Sequence, residues 1–257
     1  MIELLQLSLG TLLLRPYVFG FLAVYLLAAG RDLGRRGTLI FTGWALSVAF
    51  VAEFSSTRTG VPFGLYHYTG ATRGQELYLA NVSLMDSLSF TFLAYASFSL
   101  ARLFLNRSRG LALVMLSGAL MMLMDVVIDP LAVRGDQWFL GHLFYYAEKG
   151  VYFGVPLSNF LGWAMVGWAI IGGYSALSST EAPINRARLL PGAGLYCVVL
   201  MFNLAMTWWI GELFLLTAGL SLHALVLLAL WSMRQWRGRL RFQMPEFPGP
   251  PSLGEGA

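Results

Sequence analysis

Charged residues are scarce in this chain. Only 12% of its 257 residues are Asp, Glu, Lys or Arg, whereas 57% are hydrophobic. A soluble domain is usually about 25% charged and about 45–50% apolar. The mean hydropathy of +0.66 deviates in the same direction. The composition therefore argues against a soluble domain and predicts an integral membrane protein.

Cysteine and lysine each occur only once. Cys197 cannot form an intramolecular disulfide, and its apolar neighbours (residues 195–201) predict a buried, inert thiol. Lys149 lies in a predicted outer loop, so no lysine within a span is left to carry a retinal Schiff base. The net charge of +4 reflects arginines in loops, where they face anionic lipid, so nucleic-acid binding is not expected.

Long apolar runs predict an all-α, polytopic membrane helix bundle. A spanning helix needs about 20 mostly apolar residues, and the sequence contains seven candidates within a single domain, residues 1–241. Their predicted limits are Leu4–Ala29, Thr38–Phe54, Ala80–Leu103, Leu111–Val127, Val155–Ala176, Leu189–Ile210 and Leu213–Met233. Arg15-Pro16 interrupts the first, so residues 1–14 could instead lie at the interface and leave a short first span. Residues 242–257 are rich in proline and glycine and predict a disordered cytoplasmic tail.

The arginines predict the orientation of the bundle. They concentrate in the first, third and fifth loops, at one helix end and after the last helix, at Arg31, Arg35, Arg36, Arg102, Arg107, Arg109, Arg186, Arg188, Arg234, Arg237, Arg239 and Arg241. Positive residues in short loops favour the cytoplasmic side. The N-terminus is therefore predicted outside and the C-terminus inside the cell, with the protein in the plasma membrane.

Acidic residues in or at the ends of the predicted spans are candidates for function. With the orientation above, five of them fall on the outer half of the bundle: Glu53, Asp86, Asp125, Asp129 and Glu212. An ionisable group inside a span is costly and marks a candidate site. For Asp86 and Glu212, a role as helix-end or interhelical hydrogen-bonding group is an equal alternative. His223 lies nearer mid-span, where a hydrogen-bonded histidine is the simpler interpretation.

Asp125 and Asp129 form the most informative pair. They are four residues apart and therefore share one helix face. Two neighbouring carboxylates in a low dielectric do not both stay ionised easily, so one is predicted to keep a proton and act as a donor. The structural alternative is that Asp129-Pro130 merely ends the helix at the interface. Glu53 has a similar alternative, an interfacial ion pair with Arg58.

Metal and diphosphate chemistry are not indicated by the spacing of the acids. No His, Cys, Asp and Glu set has metal-site spacing, so no metal is expected. Asp125-x-x-x-Asp129 is similar to half of a prenyltransferase site, but a second Asp-rich motif to hold Mg²⁺ and diphosphate is missing. Tyrosines on the outer side predict mainly an interfacial aromatic belt, of which some members could line a cavity and stabilise a cation. They are Tyr66, Tyr68, Tyr145, Tyr146 and Tyr152.

Three segments together resemble one protein family. They are Glu53-Phe-Ser-Ser-Thr-Arg-Thr-Gly-Val-Pro-Phe-Gly-Leu-Tyr-His-Tyr68, Met124-Asp-Val-Val-Ile-Asp-Pro130 and Gly150-Val-Tyr-Phe-Gly-Val-Pro-Leu-Ser-Asn-Phe-Leu-Gly-Trp163. In order and spacing they are similar to the cofactor-independent carotenoid 1,2-hydratases of the CruF type, which include bisanhydrobacterioruberin hydratase. The resemblance runs over residues 40–175, and the later helices match in hydrophobic layout only.

The resemblance implies an activity and a set of positions. The activity is addition of water across the terminal C1=C2 double bond of an acyclic carotenoid taken from the lipid, giving a tertiary alcohol without a cofactor. Asp125 or Asp129 would protonate C2, and Glu53 would stabilise the cation or accept a proton from the attacking water. The implied substrate and water contacts are Tyr66, Tyr152, Asn81, Asn159 and Trp163.

Two other classes of protein would share some of these features. A transporter or proton-coupled carrier also places acids within its bundle, although here they gather on one side rather than forming a path across. A non-catalytic pigment-assembly protein is the second alternative. The sequence does not indicate which carotenoid is used or whether the protein is oligomeric.

Overall fold

The structure, a computed structural model, describes residues 2–178 and 184–243. Its eight described α-helices are α1 (Ile2–Leu14), α2 (Pro16–Asp32), α3 (Gly34–Thr59), α4 (Leu84–Leu105), α5 (Leu111–Ala132), α6 (Leu157–Leu177), α7 (Arg186–Trp209) and α8 (Leu213–Gln243). Six of these helices are long and apolar enough to cross a membrane. The prediction of an all-α, polytopic membrane bundle is confirmed. The predicted tail begins inside α8, and its residues 244–257 lie outside the described part.

The first predicted span is broken in two. Helices α1 and α2 meet at 89°, so Leu4–Ala29 is not one straight helix. Pro16 occupies the first turn of α2, where its missing N–H costs nothing. The 17 residues of α2 reach about 25 Å at about 1.5 Å per residue. The geometry matches a short α2 with α1 lying across its end, one of the two N-terminal arrangements open from the sequence.

Helix α4 is the centre of the bundle. It contacts α2, α3, α5, α6, α7 and α8, and most of its length is buried. Buried small polar residues let neighbouring helices approach it closely, as is usual for helices packed in lipid. They are Ser87, Thr91, Ser97 and Ser99. Helix α8 packs at the periphery, with little of its length buried.

Short strands join two loops at one end of the bundle. Strand β1 (Tyr66–Tyr68) follows α3 and pairs antiparallel with β4 (Phe144–Tyr146), which follows α5. Tyr66 lies opposite Tyr146 in this register. Strands β2 (Tyr78–Leu79) and β3 (Val82–Ser83) form a hairpin before α4. The β1–β4 pair therefore fixes the α3–α4 and α5–α6 loops against each other.

The structure differs from the sequence-based prediction in two helix ends and in the exposure of one side chain. Helix α5 continues through Pro130 to Ala132 instead of ending at Val127. Helix α4 begins at Leu84 rather than Ala80, because the preceding residues turn back as the β2–β3 hairpin. The prediction of a buried Cys197 was wrong, since its side chain lies on the exposed face of α7.

Candidate functional site

A cavity of about 150 Å³ opens inside the bundle, at the end that carries the β1–β4 pair. Residues of α2 to α7 and of the two joined loops line it. One water needs roughly 10–15 Å³ of such space, so the cavity has room for a small organic group or several waters. Its walls are mainly aromatic and aliphatic, which is typical of a site for an apolar ligand.

Three carboxylates from three helices reach this cavity. Glu53 comes from the last two turns of α3, Asp86 from the first turn of α4, and Asp129 from the last turn of α5. Since these helix ends all adjoin the same two loops, acids distant in sequence meet at one place. Among the described residues, none of the three forms an ion pair with a basic side chain. Arg15 also lines the cavity but forms its ion pair with Glu76, so the three acids have no directly paired cation in the described part of the chain.

Neutral hydroxyl groups hold two of these carboxylates. Ser87 donates a hydrogen bond to Oε2 of Glu53 between α4 and α3. Tyr146 of β4 donates to Oδ2 of Asp129 over 3.1 Å. Both residues are buried, so little of Glu53 or Asp129 is exposed at the surface of the protein. These contacts fix each carboxyl group without supplying a positive charge.

Asp125 lies one turn deeper on α5, behind the cavity wall. It is fully buried and accepts a 2.6 Å hydrogen bond from Nδ2 of Asn159 on α6. Asp125 Oδ1 and Asn159 Oδ1 are both buried acceptors without a hydrogen-bond donor among the described residues. A protonated Asp125 carboxyl group could donate a hydrogen bond between these two oxygens, whereas an ionised carboxylate could only accept one.

Aromatic faces line the space next to the acids. Trp163 of α6 stacks on Phe90 of α4 with ring centroids 4.3 Å apart. Phe63, in the loop after α3, packs against both rings. Tyr66 of β1 and Tyr68, two residues later, also line the cavity. A cation formed here would meet the negative faces of several rings.

The cavity tyrosines outside the helices stay neutral. Burial raises the pKa of the Tyr66 phenol well above its ordinary value, and the charge of Glu53 adds to the effect. Burial and Asp86 do the same to the pKa of Tyr68, and burial and Asp129 to that of Tyr146. Phenols that keep their proton are hydrogen-bond donors to the neighbouring carboxylates.

The comparison with protein families decides the assignment. The model of the carotenoid biosynthesis protein family matches residues 13–229, most of the chain. The chain belongs to the carotenoid biosynthesis protein family. Its role is therefore in carotenoid biosynthesis, and its apolar helices make it a multi-pass membrane member. No curated protein and no solved structure matches the chain significantly.

The cavity of this carotenoid biosynthesis protein brings together most of the sequence-predicted site residues. Those that line it are Glu53, Asp129, Tyr66, Asn159 and Trp163. Asp125 joins them through its hydrogen bond to Asn159. Tyr152 and Asn81 do not line the cavity. Tyr152 packs on Phe153 and Phe160, and Asn81 lies in the turn of the β2–β3 hairpin.

Three structural alternatives for the acids can also be compared with the structure. Arg58 lies over the ring of Phe54, 3.4 Å from its centroid, and is not ion-paired with Glu53. Glu212 has a structural role, because its carboxylate forms an ion pair with Arg134 over 2.7 Å and lies outside the cavity. Asp129 sits within α5, not beyond its end.

Sequence analysis missed or undervalued four cavity residues. The sequence favours no single role for Asp86 and predicts mainly an interfacial belt for Tyr68 and Tyr146, yet all three line the cavity. Arg15 interrupts the first predicted span in the sequence, and in the structure it lines the cavity and pairs with buried Glu76 over 3.1 Å. A signal for Arg15 was present, since a lone arginine in an apolar run needs an acidic partner. No group of three His, Cys, Asp or Glu side chains in the described part is arranged to hold a metal ion.

Proposed function

We propose that this carotenoid biosynthesis protein is a hydratase that adds water across the terminal C1=C2 double bond of an acyclic carotenoid. The observation that carries the proposal is the joining of Glu53, Asp86 and Asp129 in one aromatic-walled cavity. Hydration of an unactivated alkene needs a proton donor, shelter for a tertiary cation and a base for the attacking water. The cavity contains residues suited to each of these tasks.

The first step is protonation of the alkene. Asp129 faces the cavity, whereas Asp125 lies behind it, so Asp129 is the member of the pair that can reach the substrate. Two carboxyl groups one turn apart in a low dielectric favour holding a proton between them. Asp129 gives its proton to C2, the π electron pair forms the new C–H bond, and the positive charge develops at C1.

The second step is capture of the cation by water. The faces of Trp163, Phe90 and Tyr66 stabilise the tertiary cation while it exists. A lone pair of water forms the C1–O bond, and ionised Glu53 accepts the proton that the water releases. Glu53 remains fixed for this task by Ser87. Return of that proton to Asp129 restores the site, so neither a cofactor nor a net proton is consumed.

Asp125 and Asn159 support the donor in this scheme. Asn159 lines the cavity and contacts Asp125, and it can also orient the attacking water through its amide. We place the enzyme in the plasma membrane, with the acidic end of the bundle facing outward, as the arginine distribution predicts. The substrate then approaches from the lipid phase, where carotenoids dissolve.

The test is pigment analysis in cells that make lycopene and express this chain. The expected product carries the mass of one added water per hydrated end. Asp129→Asn, Asp125→Asn and Glu53→Gln should each lose it, whereas Asp136→Asn, which alters an exposed loop acid outside the cavity, should keep it. Immunoblots of the membrane fraction should show equal amounts of all variants.

Either result is informative. Product from the wild type that disappears in the three cavity variants supports hydration at this site. If well-inserted wild type hydrates neither lycopene nor γ-carotene, hydration is rejected and a non-catalytic role in pigment assembly becomes the better explanation.

A further inference from the structure

The cavity is too small for the substrate of the proposed reaction. An acyclic carotenoid is a rod comparable in length to the roughly 30 Å hydrocarbon core of a bilayer. A cavity of about 150 Å³ accommodates its reactive end and little more. The rest of the polyene must therefore leave the bundle between two helices while the end group reacts.

Packed aromatic rings form one wall of the cavity. Tyr17 of α2 and Phe202 of α7 stack with centroids 5.1 Å apart and planes 19° apart. Phe21, one turn further along α2, contacts Phe202 at 5.6 Å. Trp138 and Phe139, in the loop after α5, complete the group against Tyr17 and Phe202. We call Tyr17, Phe21, Trp138, Phe139 and Phe202 the aromatic seam.

The aromatic seam connects the cavity with the outside of the bundle. Tyr17, Phe21, Trp138 and Phe202 line the cavity, and each is only partly buried. Phe139, in contact with Tyr17 and Phe202, is 57% exposed. Around Glu53 and Trp163, in contrast, the lining is closed to the outside. A continuous aromatic surface therefore leads from the acids to the outside of the bundle.

The seam also lies between helices that can separate. Among the described residues, no side-chain hydrogen bond joins α2 to α7. Other pairs around the cavity are tied in this way: α3–α4 by Ser87–Glu53, α5–α6 by Asn159–Asp125, and α5–α7 by the Tyr196 hydroxyl to the Leu120 carbonyl. Ring contacts can part and re-form without leaving a buried polar group unpaired, so opening the seam breaks no side-chain hydrogen bond between these two helices.

We infer that the aromatic seam between α2 and α7 is the portal and binding groove for the polyene chain of the substrate. The inference rests on the proposed function, because it requires the end group to react at the acids. The polyene lies between the faces of Tyr17 and Phe202, which separate to admit it. The flat conjugated chain replaces the ring–ring contact with two ring–polyene contacts.

A reversible lock across the seam tests the portal. Tyr17→Cys and Phe202→Cys are combined in a Cys197→Ala background, and a short bis-methanethiosulfonate joins the two thiols. Locking should reduce lycopene hydration more than about tenfold, because a closed portal keeps the substrate from the site, and a reductant should restore it. Geranylacetone, a short isoprenoid with the same dimethylalkene end, should still be hydrated by the locked protein.

The matched control carries the same reagent on a lipid-facing helix. Leu225→Cys and Leu228→Cys lie one turn apart on α8, where both side chains are exposed. Cross-linking there should leave lycopene hydration unchanged. If the locked seam still hydrates lycopene at the unlocked rate, the portal is overturned, whereas absence of hydration in the wild type would instead reject the proposed function.

A milder variant covers the case in which the double cysteine protein does not insert. Phe202→Leu keeps an apolar side chain but removes the ring, so KM for lycopene should rise by roughly 2- to 10-fold. Phe214→Leu removes a ring that is 83% exposed on α8 and should change nothing. An unchanged KM in Phe202→Leu would contradict polyene binding at the seam.

Discussion

Asn159 donates its side-chain amide to Asp125 across the α5–α6 interface, with Nδ2 2.6 Å from Oδ2. Replacement of Asn159 by leucine would leave a buried carboxyl without this donor. We expect the free energy of unfolding to fall by about 1–3 kcal/mol and carotenoid hydration to be lost. Thermal unfolding in detergent and pigment analysis measure the two effects. Ser158→Ala, at the exposed neighbouring position, should change neither.

The buried ion pair at the break between α1 and α2 gives a second expectation. The side chains of Arg15 and Glu76 are 3% and 0% exposed. Glu76→Gln would leave the Arg15 charge buried without its partner, so we expect a loss of about 3–5 kcal/mol in detergent unfolding. Glu212→Gln breaks a pair whose side chains are 28% and 20% exposed and should cost about 0–1 kcal/mol. Equal losses in both variants would contradict this account.

Helix packing between α5 and α6 depends on Gly118. A Cβ built there would lie 2.2 Å from the Trp168 ring and 2.7 Å from the Ala164 carbonyl oxygen. Gly118→Ala should therefore destabilise the bundle by about 1–3 kcal/mol. Gly43→Ala on α3, where nothing lies within 4 Å, should be neutral or slightly stabilising, because alanine is the better helix former. Melting temperatures of the two variants in the same detergent provide the comparison.

The cavity phenols give an expectation for alkaline pH. Because burial raises the pKa of Tyr66, Tyr68 and Tyr146 above 10.0, all three should remain neutral where exposed tyrosines ionise. Their contribution to stability is complete below that value and is lost as pH rises through their folded-state pKa values. If Tyr146 stays neutral near pH 10, it contributes no phenolate there. The Tyr146→Phe variant and the wild type should then show the same phenolate absorbance at that pH. A clear loss would place that phenol in water.

Much of the fold was predictable because a bilayer imposes long apolar runs. Six spans were found with shifted ends, and the acids of α3, α4 and α5 were placed at one end. The shifts arise where loop contacts override local signals. Pro130 continues its helix, and the residues before Leu84 turn back into a hairpin. The orientation of the termini remains a prediction.

The candidate site was predictable only in part. Glu53 and the aspartate pair were found because an acid within an apolar run has few structural explanations. Asp86 carries the same signal but sits so near a helix end that sequence alone gives it two roles. The contact of Tyr146 with Asp129 depends on the β1–β4 register, and three-residue strands leave almost no pattern in a sequence. Tyr152 and Asn81 show the converse, because Tyr152 lies within one of the resembling segments and yet neither residue lines the cavity.

The pairing of Tyr66 with Tyr146 has a consequence for how the protein is made. The two strands are separated by two complete helices, so β1 must wait for β4 while α4 and α5 enter the membrane. Asn159 and Trp163 follow later still, on α6. During synthesis the nascent chain thus carries its acids into the bilayer before their hydrogen-bond donors have emerged. A chain arrested between α5 and α6 would therefore hold Asp125 within the bilayer without the amide of Asn159.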